Sequence, residues 1–479
     1  MPESNDTPAP RTVARSLAEL TGDPNAILKA YAAGAPFRAA TAEELTTPDN
    51  PFRRPVRPDD LAWLDYSQVL PAEEQPLLSG LLGHRMLRNV YDAEHGLLPP
   101  DGNAAARADG TVFHAPDTRL LAALARPVLE HHLFGFLEDG REPLAAPTVD
   151  TVKAGARAYR DRLRDEPPTA FATATSVKDA HGAGVYLLLQ LGAFLPAAYT
   201  AVARGALAET GLAHPGLRPF LLSVWQRWAE DADDYRALWT GAGLSPSATA
   251  HWQFLLGSSL ARGNHLLGLA LDGARLGRLL GAVAQFLIER ETTAAPLAGT
   301  LRDTLGRSVP YPRPPAAGTA LEPDDLVDRL LGPLPGLLGG SVVVAFHEGF
   351  TDAVRHARAW DADLTAQLAW ADRIDDFKTY AERIQDHLTS ENIEVDLDTF
   401  VESHEETSTT HVHDDHRLVM VESGQMHFWH NVTHRIALSE GDKLLIPTSR
   451  LHGSVVLSGT CVYHQPIIPE DMFQKFTTD

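Results

Sequence analysis

The sequence predicts a multidomain protein with an all-α N-terminal part that contains a helical bundle, followed by a C-terminal all-β barrel. Three observations lead there. The chain has 479 residues, more than one core usually organises, so two to four domains are expected. Apolar residues recur at helical spacing as far as about residue 307. From Ser341 the texture changes to short β-branched or aromatic runs, divided by Gly, Asp, Asn and Ser.

After a polar, proline-bearing start, RTVARSLAELTG, DPNAILKAYAAG, PAEEQPLLSGLLGHRMLRNVYDAEHG and DTRLLAALARPVLEHHLFGFLEDG read as helices punctuated by Gly, Asp or Pro. They make an N-terminal helical domain of dimerisation type, 1–145, closed by the linker EDGREPLAAPTVD. A second helical domain, 146–338, carries longer apolar helices such as GVYLLLQLGAFLPAAYTAVARGALAETG and LGRLLGAVAQFLIERE, lengths that suit a bundle. YPRPPAAGTALEP interrupts it. In the third domain, 339–479, SVVVAF reads as a first strand and DADLTAQLAWADRIDDFKTYAERIQDHLTS as one helix. IEVDLDTFVES, HRLVMVES, QMHFWHNV, HRIALS, DKLLIP, SVVLSG and TCVYHQPII then form a small antiparallel barrel or sandwich.

A formal net charge of -22 argues against nucleic acid or an anionic membrane as the main partner and suits a small cationic or zwitterionic substrate. The single cysteine, Cys461, excludes an internal disulfide and any cysteine-based zinc cluster, so histidine and carboxylate must supply metal ligation. MPESNDTPAPRTVARS lacks an apolar leader core, and no later stretch reads as a membrane span, so a cytoplasmic protein is expected.

The chemistry concentrates in THVHDDHRLVMVESGQMHFW. In a strand, residues i and i+2 share a face, so His411 and His413 point together while Val412 points away. GDKLLIPTSRLHGS brings His452 after a turn, where a folded sheet sets it opposite the pair. Three imidazoles on one face of a metal leave further positions open, an arrangement that suits Fe(II). The same alternation turns Arg417 inward, where its guanidinium can fork onto a substrate carboxylate. It turns His416 outward, although a bulge would reverse this and make His416 a fourth ligand candidate. His427, His430 and His434 are expected on exposed faces or turns, Tyr463 and Cys461 in the core, and His464 beside a ligand.

These residues resemble the cupin superfamily, whose motifs run G-x5-HxH-x3,4-E-x6-G and G-x5-P-x-G-x2-H-x3-N. His411, His413 and Gly424 match the first, and Gly441, Pro447 and His452 the second. Glu405, Ser449 and Val456 depart from it, and Arg417 stands where the usual glutamate ligand would be, which leaves three histidines and no carboxylate.

The order of domains resembles the SznF-type N-nitrosating multidomain non-heme iron enzymes, built from a helical domain, a heme-oxygenase-like domain and a cupin. That resemblance implies a homodimer, one iron in the cupin, and a heme-oxygenase-like domain that in the family holds two irons and hydroxylates guanidine nitrogens. It further implies O2-dependent oxidative rearrangement, with N–N bond formation, of an N-hydroxylated guanidine or arginine-derived amino acid. The diiron ligands transfer poorly. Neither ExxH nor HxxxDxxH occurs in 151–340, so a degenerate bundle is expected, with Glu230, Asp234 and Glu289 on solvated or salt-bridged helix faces. Glu348, Asp352 and His356 share one helix face and read as a solvated helix or, less simply, as ligands. His251 and His265 read as packing or surface residues. Two other functions stay open: a three-histidine dioxygenase that cleaves carbon–carbon bonds or oxidises thiols, and a noncatalytic small-ligand sensor.

Overall fold

The computed structural model describes residues 22–33, 52, 64–95, 98–99, 101–139, 148–208, 215–244, 251–307, 311–313, 321–404, 408–429 and 435–478. The first expected helix up to residue 21, the linker at 140–147, Glu405, His430 and His434 lie outside them. The principal helices are α1 (Leu78–His95), α2 (Pro116–Phe134), α3 (Val149–Asp165), α4 (Ala180–Leu207), α5 (Leu217–Gly241), α6 (Gly257–Leu271), α7 (Leu276–Leu305), α8 (Ser341–Asp372) and α9 (Ile374–Ser390). Strands β1 (Thr399–Ser403), β2 (His416–Ser423), β3 (Gln425–Trp429), β4 (Arg435–Ser439), β5 (Lys443–Ile446), β6 (Gly453–Val456), β7 (Thr460–His464) and β8 (Ile467–Ile468) follow, then α10 (Glu470–Thr477). An all-helical part thus precedes an antiparallel β domain, as the sequence predicts.

Local chemistry sets the helix ends. Asp179 caps α4 by accepting the Gly182 amide at 2.8 Å. Gly306, at φ 63°, closes α7 in the left-handed conformation that glycine adopts without a Cβ clash. The amide of Leu78, one of the donors that the start of α1 leaves unpaired, is taken by Asp414 of the β domain at 2.9 Å. α4 is apolar on nearly every side and does reach the length and composition of a membrane span, contrary to the sequence reading. Within its most apolar window 78% is buried in the protein, so it serves as the central helix of the bundle.

Two further expectations are corrected. SVVVAF is not a strand but the first turns of α8. Its β-branched run favours a strand locally, but Val342, Val343, Phe346, Phe350, Ala353, Ala357, Trp360 and Leu364 continue one apolar stripe at helical spacing, and burial of that stripe decides. The single helix expected from residue 361 to 390 is the end of α8 and the whole of α9, broken at Arg373.

Strands pair in the order β1-β7-β2-β5, with β8 on β2, and in a second sheet β4-β3-β6. Leu418, Val419 and Val421 of one sheet share a core with Met426, Phe428, Ile436 and Val456 of the other, and α9 adds Phe377, Tyr380 and Ile384. A separate, larger core fills the helical part. Two β-domain side chains, Val412 and Leu451, belong to that helical core instead of their own.

Candidate metal centre

His411 and His413 lie on an extended segment just before β2, not in a regular strand, and His452 immediately precedes β6. His411 and His452 pair as an isolated antiparallel bridge, with amide-to-carbonyl distances of 2.8 and 3.0 Å. Val412 turns into the helical core, as alternation predicts, so its two neighbours face the opposite way. The rings converge, with centroids 4.8 Å apart for His411 and His413, 4.6 Å for His411 and His452, and 5.1 Å for His413 and His452. One nitrogen from each of the three lies within 4.8 Å of the others.

Hydrogen bonds fix which nitrogen is available. Nδ1 of His411 lies 2.9 Å from the Thr409 carbonyl and Nδ1 of His452 2.8 Å from the Arg450 carbonyl. A carbonyl only accepts, so Nδ1 carries the hydrogen in both rings and Nε2 keeps its lone pair in the neutral form. The same two-residue step backwards recurs in both segments. Side-chain identity gives no sign of it, because any residue supplies a carbonyl. Nε2 of His413 and Nε2 of His452 are buried without a hydrogen-bond partner, a costly arrangement for a polar atom unless something else occupies its lone pair.

Burial keeps the His413 and His452 rings neutral. It pushes His452 down to about 3, with the neighbouring His411 adding to the effect and the Arg450 carbonyl opposing it. His413 is depressed further by burial, then by His452, His411 and the charge of Arg417. Phe428 and Trp370 stand 5.8 and 6.5 Å from the His452 ring and wall one side. The neutral His413 and His452 rings with orphaned Nε2 atoms, together with the converging His411 ring, are a donor set that fits a divalent transition metal.

Arg417 is half-buried on β2, and its Nη1 donates to Asp398 at 3.2 Å and to the Gln465 carbonyl at 3.1 Å. Its Nε is buried without a partner. His416 is not a fourth ligand. Its Nδ1 accepts the Thr448 amide at 3.1 Å, its Nε2 meets Glu470 at 2.7 Å, and the ring stacks on Phe473 of α10 at 3.7 Å. The β2 irregularity lies at Val421 to Ser423, too late to turn His416 round. His464 orients no ligand either, since its nitrogens bond Thr399 and Glu422. His427 is half-buried, while Cys461 and Tyr463 are core residues.

The motif's second glycine position is held by Ser449 at φ 64°, so the left-handed turn survives without the glycine. Its amide donates to the His413 carbonyl at 3.0 Å, linking the two halves of the motif.

In the helical part Glu289 is buried and takes Arg262 at 2.6 Å, Gln285 at 2.6 Å and the Tyr159 hydroxyl at 3.2 Å. The Arg262 guanidinium also lies 4.2 Å from the Phe194 ring centre and 5.6 Å from those of Phe286 and Trp360. Asp234 and Glu230 pair with Arg313. These are ion pairs, and for Glu289 a buried one. Asp352 and His356 are buried, not solvated, and His356 lies against His265 at 4.7 Å between ring centres. His251 packs beside Trp239.

No protein-family model matches the chain. Nitrosourea synthase of Streptomyces achromogenes subsp. streptozoticus is 25% identical over 458 residues, a span covering 90% of this chain and 95% of that enzyme. The likeness therefore runs through the helical and β parts alike, and the three-histidine cluster closing the chain fits a cupin: the protein is similar, along nearly its whole length, to an enzyme named for nitrosourea synthesis.

Proposed function

We propose that the protein is an oxidoreductase, a mononuclear non-heme iron oxygenase whose metal is held by His411, His413 and His452. The observation that carries this reading is the convergence of three imidazoles within 4.8 Å, with Nδ1 of two of them tied to carbonyls. The likeness to nitrosourea synthase supports the reaction class: O2-dependent oxidative rearrangement, with N–N bond formation, of an N-hydroxylated guanidine or arginine-derived amino acid.

Ferrous iron, which His411, His413 and His452 would hold, would supply O2 activation and electron transfer between O2 and the substrate. The chain's own residues do the rest. His411 and His452 offer Nε2 in a fixed tautomer, so no proton has to leave before ligation at neutral pH. Phe428 and Trp370 exclude water from one side of His452. Arg417 keeps one donor edge uncommitted, since Asp398 and Gln465 take Nη1 and leave Nε unpaired. A guanidinium edge of this kind is the donor that pairs with a carboxylate, and the acidic net charge of -22 favours the cationic end of such a substrate. In the helical bundle Arg262 holds Glu289, so that carboxylate is committed to an ion pair.

Metal counting after anaerobic Fe(II) loading tests this. One iron per chain is expected, abolished by His411→Ala and retained in Glu289→Gln. O2 uptake should follow addition of an N-hydroxylated arginine, with a product whose mass reports the rearrangement. Three irons per chain, or one iron indifferent to His411→Ala, would overturn the proposal.

A further inference from the structure

The two segments that present the imidazoles have little sheet of their own, and each is gripped by residues far away in sequence. Arg85, on α1, donates through Nη1 to the Thr410 carbonyl at 2.7 Å and through Nη2 to Thr410 Oγ1 at 2.9 Å. The same Nη2 reaches the Gln253 carbonyl at 3.1 Å, and Thr410 Oγ1 donates to that carbonyl as well. On the far side of His413, Asp414 accepts the Leu78 amide that opens α1. Gln367, on α8 and 1% exposed, forms a two-way pair with Leu451: its amide nitrogen donates to the Leu451 carbonyl at 2.9 Å and its oxygen accepts the Leu451 amide at 2.9 Å.

Each of the three histidines therefore has an adjacent residue fixed by the helical part: Thr410 before His411, Asp414 after His413, Leu451 before His452. Val412 and Leu451 reinforce this by burying their side chains in the helical core. Gln367 does for Leu451 what a neighbouring strand does elsewhere, satisfying both backbone groups at once. Arg85, which can only donate, holds the carbonyl and the hydroxyl oxygen of Thr410 from a rigid helix.

We infer that Arg85 and Gln367 are positioning residues of the metal centre, setting from the helical part the separation of the two segments that carry its ligands. This rests on the metal-site reading above. It also gives the bundle a role that needs no metal of its own. Three imidazoles bind one ion tightly only if their nitrogens are held in place beforehand. Freeing either segment makes convergence a cost of binding, and supporting groups of this kind are worth roughly 10- to 100-fold in metal affinity.

The test uses the full-length chain titrated with Co(II), whose ligand-field spectrum reports coordination geometry. Gln367→Leu keeps the volume and removes both bonds, and Thr410→Val keeps the volume and removes the two hydroxyl bonds of the other segment, leaving Arg85 only the Thr410 carbonyl, should Gln367→Leu not fold. Tyr91→Phe, on α1 like Arg85, removes a buried bond to Glu130 of α2 and is the control for simple loss of stability. Expected is a fall of about tenfold or more in Co(II) affinity with an altered spectrum for Gln367→Leu and Thr410→Val, and neither for Tyr91→Phe. If the clamp variants lower only the melting temperature, as the control does, the inference is overturned while the metal site stands. If the unaltered protein shows no Co(II) spectrum that depends on His452, the metal reading fails and this inference with it.

Discussion

Acid should unfold the metal-free protein through its buried neutral histidines, and His84 isolates the effect. This side chain is 1% exposed on α1, beside Asn264 and Phe134. Burial, with smaller contributions from His356 and His132, pushes it down to about 3 from its ordinary 6.5. Because the folded value lies below the unfolded one, the unfolded chain binds the extra proton between them. Stability is therefore whole above 6.5 and is lost as the pH falls toward 3. At about pH 5 the solution is about 1.5 pH units below the unfolded value, and at about 1.4 kcal/mol per unit this one ring costs about 2 kcal/mol. Urea unfolding followed by tryptophan fluorescence, at about pH 7.5 and about pH 5, measures the loss. His84→Phe cannot titrate, so its stability should fall by about 2 kcal/mol less between the two conditions. An unchanged pH dependence in that variant would show that the ring is solvated or protonated in the fold, and the reasoning would fail.

Removing Arg262 as Arg262→Met should destabilise by roughly 3–5 kcal/mol, since it leaves the Glu289 carboxylate buried and uncompensated; Arg262→Met with Glu289→Leu should recover most of it, as denaturant melts of the two variants will show. Two turn positions should answer in opposite directions. Ser449→Gly relieves a left-handed residue and should stabilise by roughly 0.5–1 kcal/mol. Gly424→Ala, at φ 92° with a new Cβ only 2.4 Å from the Thr460 carbonyl, should cost more than about 2 kcal/mol by thermal melting.

Much of the β domain was readable from one chain because its signals are local. Period-two runs mark β2 through β7, Gly424 and Gly441 mark positive-φ turns, and the i, i+2 rule alone sends Val412 away from the two histidines it separates. His416 likewise points where alternation sends it. Its partners Glu470 and Phe473 on α10 are what settle its role, and they lie more than fifty positions on. SVVVAF misleads for the converse reason. Its six residues satisfy a strand, and only the stripe extending through Trp360 and Leu364 reveals a helix. Arg85 and Gln367 carry no local sign at all. An arginine and a glutamine on amphipathic helices look like surface residues until a distant loop is laid against them. Ser449 shows a third kind of mismatch, where the motif's letter changes while its backbone conformation does not.

Helix α8 has a consequence for how such a chain can be taken apart. Its first half buries Val343, Phe346 and Phe350 among the bundle helices, and its last turns deliver Trp370 to the β-domain core. A fragment starting at residue 339 would carry a naked apolar stripe into water, whereas one ending there would leave the bundle with an open groove. Swapping the last third of this protein for that of a relative would graft the wrong half of a shared beam, so functional chimeras should join beyond Asp372 and bring matching partners for the residues around His411 and His452.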